Sequence, residues 1–128
     1  MVTFSAPSAA KPLIVLVDDD AALLAALTFS LELEGFQVEA CESGEALLRR
    51  QLPDHDACLV IDERLPGITG LEALRQLRGR QVGLPALLIT TNPGPATRRA
   101  ASAAGVPIVE KPLLGDGLLT SIRLALNP

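Results

Sequence analysis

The chain has no tryptophan and no tyrosine, three phenylalanines, one histidine and two cysteines. Without aromatic platforms it has little on which to stack nucleic-acid bases. Basic residues are scarce too. Eleven Lys and Arg stand against 15 Asp and Glu, a net charge of −4, which is the wrong sign for a surface that grips a phosphate backbone. Nucleic acid is therefore not expected as a direct partner. Cys41 and Cys58 fall in or beside apolar strand patterns with no metal-ligand spacing. They read as reduced thiols of a cytoplasmic protein rather than as a disulfide frame. Met1–Lys11 lacks the charged start and apolar core of a signal peptide, and no apolar run is long enough to span a bilayer. A membrane is not an expected partner either.

What the chain does have is apolar residues, 48% of 128, enough for one domain with a real core. It also has polar marks where apolar strands should end. Leu13–Val17 runs into Asp18, Asp19 and Asp20; Ala57–Ile61 runs into Asp62; Pro107–Glu110 runs into Lys111-Pro112. Buried parallel strands read as continuous Val/Ile/Leu runs, and open α/β sheets bind ligands beyond the carboxyl ends of their strands. Acids and a lysine converging there make a site for a divalent cation and an anionic group, a phosphoryl group being the obvious candidate.

Between these marks one theme repeats. Residues 1–11, rich in Ser, Ala and Pro, are expected to be a disordered tail before a domain over 12–128. Strands are expected at 13–17, 36–40, 57–61, 84–89 and 107–110. The helix over 21–34 starts at an Asp20 cap and closes at Gly35. Ser43 opens a short helix to about Gln51, and Thr69 opens one over Gly70–Arg78. Pro93 and Pro95 suit the start of a fourth, ending at Gly105, and Leu113–Leu126 forms the last. Strict β-α alternation implies a parallel sheet covered by helices on both faces.

These marks carry a resemblance. Val17-Asp18-Asp19-Asp20, the run from Asp62 to Gly70 (Asp-Glu-Arg-Leu-Pro-Gly-Ile-Thr-Gly), Leu88-Ile89-Thr90 and Glu110-Lys111-Pro112 occur in order at successive strand ends. From Pro12 to Leu126 the chain resembles the receiver domain of two-component response regulators. The resemblance implies a flavodoxin-like, doubly wound α/β fold: a five-stranded parallel sheet of order 2-1-3-4-5 with five helices. In that order the first and third strands are central neighbours, which sets Asp18, Asp19 and Asp62 side by side.

Two carboxylates about 4 Å apart repel by roughly 4 kcal/mol at an effective dielectric near 20, so three call for a cation, and hard oxygen donors suit Mg²⁺. By resemblance, Asp19 and Asp62 ligate it directly, Asp18 mainly through water, and the Arg64 backbone carbonyl completes the set. Asp62 is then the nucleophile, phosphorylated by a histidine kinase or phosphotransfer protein. Lys111 and Thr90 attend the phosphoryl group, and the acyl phosphate formed is reset by the domain itself.

Each residue also has a plainer role. Asp20 suits a helix cap, Glu42 and Glu45 the solvated start of a helix, His55 an ordinary loop, and Arg64 a solvated side chain at the mouth of the site. Two departures bear on signalling. Thr91 follows the switch threonine where the family has Ala or Gly, and Ile108 stands where the family's switch aromatic lies. They favour an alternative, a phosphorylation-independent docking module; retention of every acid and of Lys111 favours a phosphoacceptor. A phosphatase of the haloacid-dehalogenase kind would need an acid where Arg64 stands, and no glycine-rich turn follows the first strand as a dinucleotide or P-loop site requires. With nothing after the last helix, a stand-alone receiver is expected.

On the first helix, Leu23, Ala26, Leu27, Ser30 and Leu31 form a stripe expected to face the sheet. Leu24, Ala25, Thr28 and Phe29, with Leu33 one turn on, are then expected to face outward. Such an apolar patch marks a contact surface. Leu24 and Phe29 are expected to meet the histidine kinase or, in a homodimer, a second copy of the chain.

Overall fold

The computed structural model describes residues 11–113 and 115–127. The expected tail, apart from Lys11, lies outside them. Five strands, β1 (Leu13–Val17), β2 (Gln37–Cys41), β3 (Ala57–Asp62), β4 (Ala86–Thr90) and β5 (Ile108–Glu110), pair in parallel in the order β2-β1-β3-β4-β5. Five helices connect and follow them: α1 (Ala21–Leu33), α2 (Gly44–Arg49), α3 (Gly70–Gly79), α4 (Pro95–Ala103) and α5 (Gly117–Leu126). This is the flavodoxin-like fold expected.

Strand alternation divides the apolar residues into two cores. Val15, Val17, Leu59, Ile61, Ala86 and Leu88 point to one face, under Leu47 of α2, Leu74 and Leu77 of α3 and Ala101 of α4. Ile14, Leu16, Cys58, Val60, Leu87 and Ile89 point to the other, under Leu24 and Leu31 of α1 and Leu118 and Ile122 of α5. With both faces covered, the central strands must be apolar at every position, which is why they read as unbroken runs.

Element ends are set by local chemistry. Asp20 Oδ1 accepts from the Leu23 amide at 3.1 Å and starts α1. At its other end Gly35, at φ +97°, lets the Gly35 and Phe36 amides donate to the Glu32 and Leu31 carbonyls. Phe36, buried, is the apolar stop of that motif, so β2 begins one residue later than its sequence suggests. Leu84 is buried but precedes Pro85, which has no N–H for the ladder. The strand therefore runs over Ala86–Thr90, and Thr90 is its last residue rather than the one after it. Gly115 at φ +67° breaks the expected start at Leu113, and α5 begins only at Gly117.

The facing of α1 corrects the sequence reading. Leu24 is 7% exposed and packs with Leu31 and half-buried Leu27 against the sheet, while Ala26 and Ser30 are exposed. Leu24 is therefore core and is withdrawn as an outward contact. The helix carries Leu or Ala on every side, so periodicity alone could not set its rotation. Phe29 and Leu33 do stand outward, 67% and 72% exposed.

Candidate functional site

β1 and β3 are neighbours in register, Val17 beside Ile61, so the residues that follow them emerge together. Asp18 is 1% exposed and its amide extends the ladder to the Cys41 carbonyl at 3.1 Å. One Asp18 carboxylate oxygen accepts from the Asp20 amide at 2.9 Å. Asp62 closes β3 and is 4% exposed; its Oδ1 accepts from the Arg64 amide at 3.3 Å. Asp19 is exposed at the rim. One carboxylate oxygen from each of Asp18, Asp19 and Asp62 lies within 4.8 Å of the others.

Lys111 arrives from β5, its amide donating to the Thr90 carbonyl at 2.9 Å. Its Nζ donates to Asp18 at 2.8 Å and to Asp62 at 3.2 Å. One ammonium among three carboxylates leaves the cluster with excess negative charge. Burial pushes the Asp62 carboxyl above its ordinary range, and the Asp18 charge pushes it further; Lys111 and the Arg64 amide pull the other way. Burial alone would lower the Lys111 pKa, but the two carboxylates outweigh it and hold the ammonium charged. Converging, hard and partly uncompensated oxygens are the donor set that suits Mg²⁺.

Thr90 is 1% exposed and lies one register step beyond Ile89, the β4 partner of Asp62. Ile108 pairs with Leu88 and Glu110 with Thr90, so alternation puts Ile108 on the sheet face of Thr90. It borders a hollow of about 460 Å³ with Arg98, Ala101, Ser102 and Gly105. Thr91, Arg64 and His55 are exposed, and His55 sits between Asp54 and Asp56 away from the cluster.

Two residues the sequence reading missed hold the segment after Asp62. Glu63 accepts from the Leu71 amide at 2.9 Å through its side chain and from the Gly70 amide at 3.1 Å through its carbonyl. Glu45 is not simply a solvated helix start, because its carboxylate accepts from the Ile68 amide at 3.1 Å. Glu63 follows the pattern of an acid binding a helix N-terminus; Glu45 has no sequence signal, its partner being 23 residues away.

The fold and the cluster together define a class, the doubly wound α/β proteins whose charged groups gather at the carboxyl ends of the central strands. Residues 14–123 match the family model of the response regulator receiver domain. The chain is 38% identical over 123 residues to the C4-dicarboxylate transport transcriptional regulatory protein DctD of Pseudomonas aeruginosa, covering 95% of this chain and 27% of that protein. It is 32% identical over 115 residues to the transcriptional regulatory protein FixJ of Bradyrhizobium diazoefficiens, covering 89% and 56%. Among solved structures, the non-phosphorylated HemR receiver domain of Leptospira biflexa superposes with a TM-score of 0.84 at 25% identity, covering 92% of this chain and 96% of that one. FixJ-N superposes with a TM-score of 0.81 at 29% identity, covering 91% and 94%. The chain belongs to the response regulator receiver domain family. It spans less than two thirds of either curated relative.

Proposed function

We propose that the chain accepts a phosphoryl group on Asp62 from the phosphohistidine of a histidine kinase or phosphotransfer protein, in the cytoplasm, and changes its affinity for a partner as a result. The observation that carries this reading is Lys111 bridging Asp18 and Asp62 beside the oxygens of Asp19. An Asp62 carboxylate oxygen forms the new O–P bond as the N–P bond of phosphohistidine breaks, and the imidazole leaves with the electron pair. Lys111 offers its ammonium to the transferring oxygens, and Thr90 offers a hydroxyl beside them. Asp18, Asp19, Asp62 and the Arg64 carbonyl would hold Mg²⁺. Bound there, Mg²⁺ neutralises charge on the transferring group, which is much of what phosphoryl transfer asks of a protein.

Mg²⁺ with acetyl phosphate should add one phosphoryl group, read by intact mass. Asp62→Asn should take none, and Lys111→Ala should be modified at least about tenfold more slowly. Equal modification of the Asp62→Asn protein removes Asp62 as the acceptor. An unmodified wild-type chain would instead favour the docking module suggested by Thr91 and Ile108.

The kinase is taken to dock on the outer face of α1, where Phe29 and Leu33 are exposed beside Ala22, Ala25 and Ala26; a second copy is the other occupant. Phe29→Glu should leave folding and acetyl-phosphate modification intact while slowing transfer from the kinase or removing dimers. Unchanged transfer and unchanged oligomeric state exclude this face.

A further inference from the structure

Residues 63–69 leave β3 with Asp62 at their head and return to α3, and their far half is held by a different helix. The Ile68 amide donates to Glu45 Oε2 at 3.1 Å, from α2. Two glycines leave room for that contact. Gly67, at φ +80°, has the Glu45 carboxylate where a side chain would stand. A Cβ on Gly44 would lie 2.7 Å from Ile68 Cγ1 and 3.3 Å from Ala73 Cβ. The α2 start and the loop are thus fitted to each other at two adjacent points, one polar and one apolar. Leu65, buried in the core, anchors the near half of the loop, and the Arg64 amide donates to Asp62 Oδ1 at 3.3 Å.

We propose that Glu45 is a positioning residue for the cation site: by holding Ile68 it fixes the loop that carries the Arg64 carbonyl and aims the Asp62 carboxylate. The inference rests on the reading of Asp62, Asp18, Asp19 and Arg64 as the Mg²⁺ ligands. A hydrogen bond to a backbone amide is directional, and loss of a group that braces metal ligands from behind commonly costs about tenfold or more in metal affinity. Glu45 works by reach, so charge and length can be separated. Glu45→Asp keeps the charge and is one methylene too short for Ile68; Glu45→Gln keeps the reach and loses the charge.

Because the chain has no Trp or Tyr, MgCl₂ binding is best followed by amide NMR shifts, with thermal unfolding run on the same variants. Glu45→Ala and Glu45→Asp should weaken Mg²⁺ binding about tenfold, while Glu45→Gln stays within about twofold of wild type. The Asp variant should melt below the Gln variant, because it alone loses the Ile68 hydrogen bond. Should the Asp variant bind as wild type while the Gln variant is weak, a through-space charge effect replaces positioning and the proposal falls. Equal affinity in all variants, whatever their melting temperatures, reduces Glu45 to a structural contact and also overturns it. A wild-type chain that binds no Mg²⁺ removes the ligand assignment itself, which variants equal to a binding wild type would leave standing.

Discussion

The two sides of the sheet's carboxyl end are held very differently. On the β3 side, the segment after Asp62 is tied by Glu63 to the start of α3, by Glu45 to α2, and by Gly70 packed against the Asp62 backbone. On the β4–β5 side, α4 buries Ala101 alone among its residues, and β5 is three residues long with none fully buried. The exposed Arg98–Glu110 ion pair links them at 2.9 Å, an interaction worth about 0–1 kcal/mol. Asp62, the residue proposed to receive a phosphoryl group, therefore stands on backbone that is costly to move. One strand away lies backbone that is cheap to move, beside a hollow bordered by Ile108. Such weakly packed elements are the ones free to shift when a site changes charge.

The sharpest way to break this comparison is to add one methyl group on each side. At Gly70 a Cβ would run into the Asp62 carbonyl oxygen and lie 2.9 Å from Ile61 Cγ2. Backbone cannot swing aside as a side-chain tip can, so Gly70→Ala should cost about 3 kcal/mol in urea unfolding. At Gly94, which caps α4, an added Cβ meets nothing within 4 Å. Gly94→Ala should cost no more than about 1 kcal/mol. Equal losses would mean that the two sides are equally rigid.

Alkali probes the site side without a mutation. Cys58, the second residue of β3, is fully buried, and that burial pushes its thiol up to about 12 from its ordinary value of 9.0. Folding thus favours the protonated thiol. The stability this represents is complete below pH 9, and it declines as the unfolded chain ionises and the folded one does not. The expected slope is about 1.4 kcal/mol per pH unit toward pH 12. Comparing urea midpoints with a Cys58→Ala protein across pH 9–10.5 isolates it; parallel curves for the two proteins would show that the thiol ionises as easily folded as unfolded.

The sequence discloses these regions unequally. Asp18, Asp19 and Asp62 are legible because β1 and β3, covered on both faces, are apolar throughout, so a charge can only mark an end; Lys111 is legible from the Lys111-Pro112 that follows β5. The rotation of α1 is not legible, because Leu23 and Ala26 suit an inward stripe with Leu27 and Leu31 as well as Leu24 does. Its true register is fixed by the Asp20 cap and by Phe36 stopping the helix. The start of β4 is hidden for another reason: Leu84 is buried without being in the strand. Glu45 is invisible because its partner is made adjacent only by the fold. What the sequence conveys well is burial pattern and end chemistry; what it withholds is which long-range pairs those patterns bring together.

The mildest test acts on the loose side. Ile108 borders the hollow of about 460 Å³ with Arg98, Ala101, Ser102 and Gly105, and is only half-buried. A ring there has space without displacing core, so Ile108→Tyr should change stability by less than about 1 kcal/mol. Position 108 borders that hollow beside α4, and none of Asp18, Asp19 and Asp62 lines it. The substitution should therefore leave the rate of Asp62 modification by acetyl phosphate within about twofold. It should alter partner affinity or dimerisation instead, because the ring bridges α4 and β5 at their surface and replaces a side chain with no polar atom. A large change in modification rate with unchanged binding would show that the loose side is wired to the acid cluster more tightly than its packing indicates.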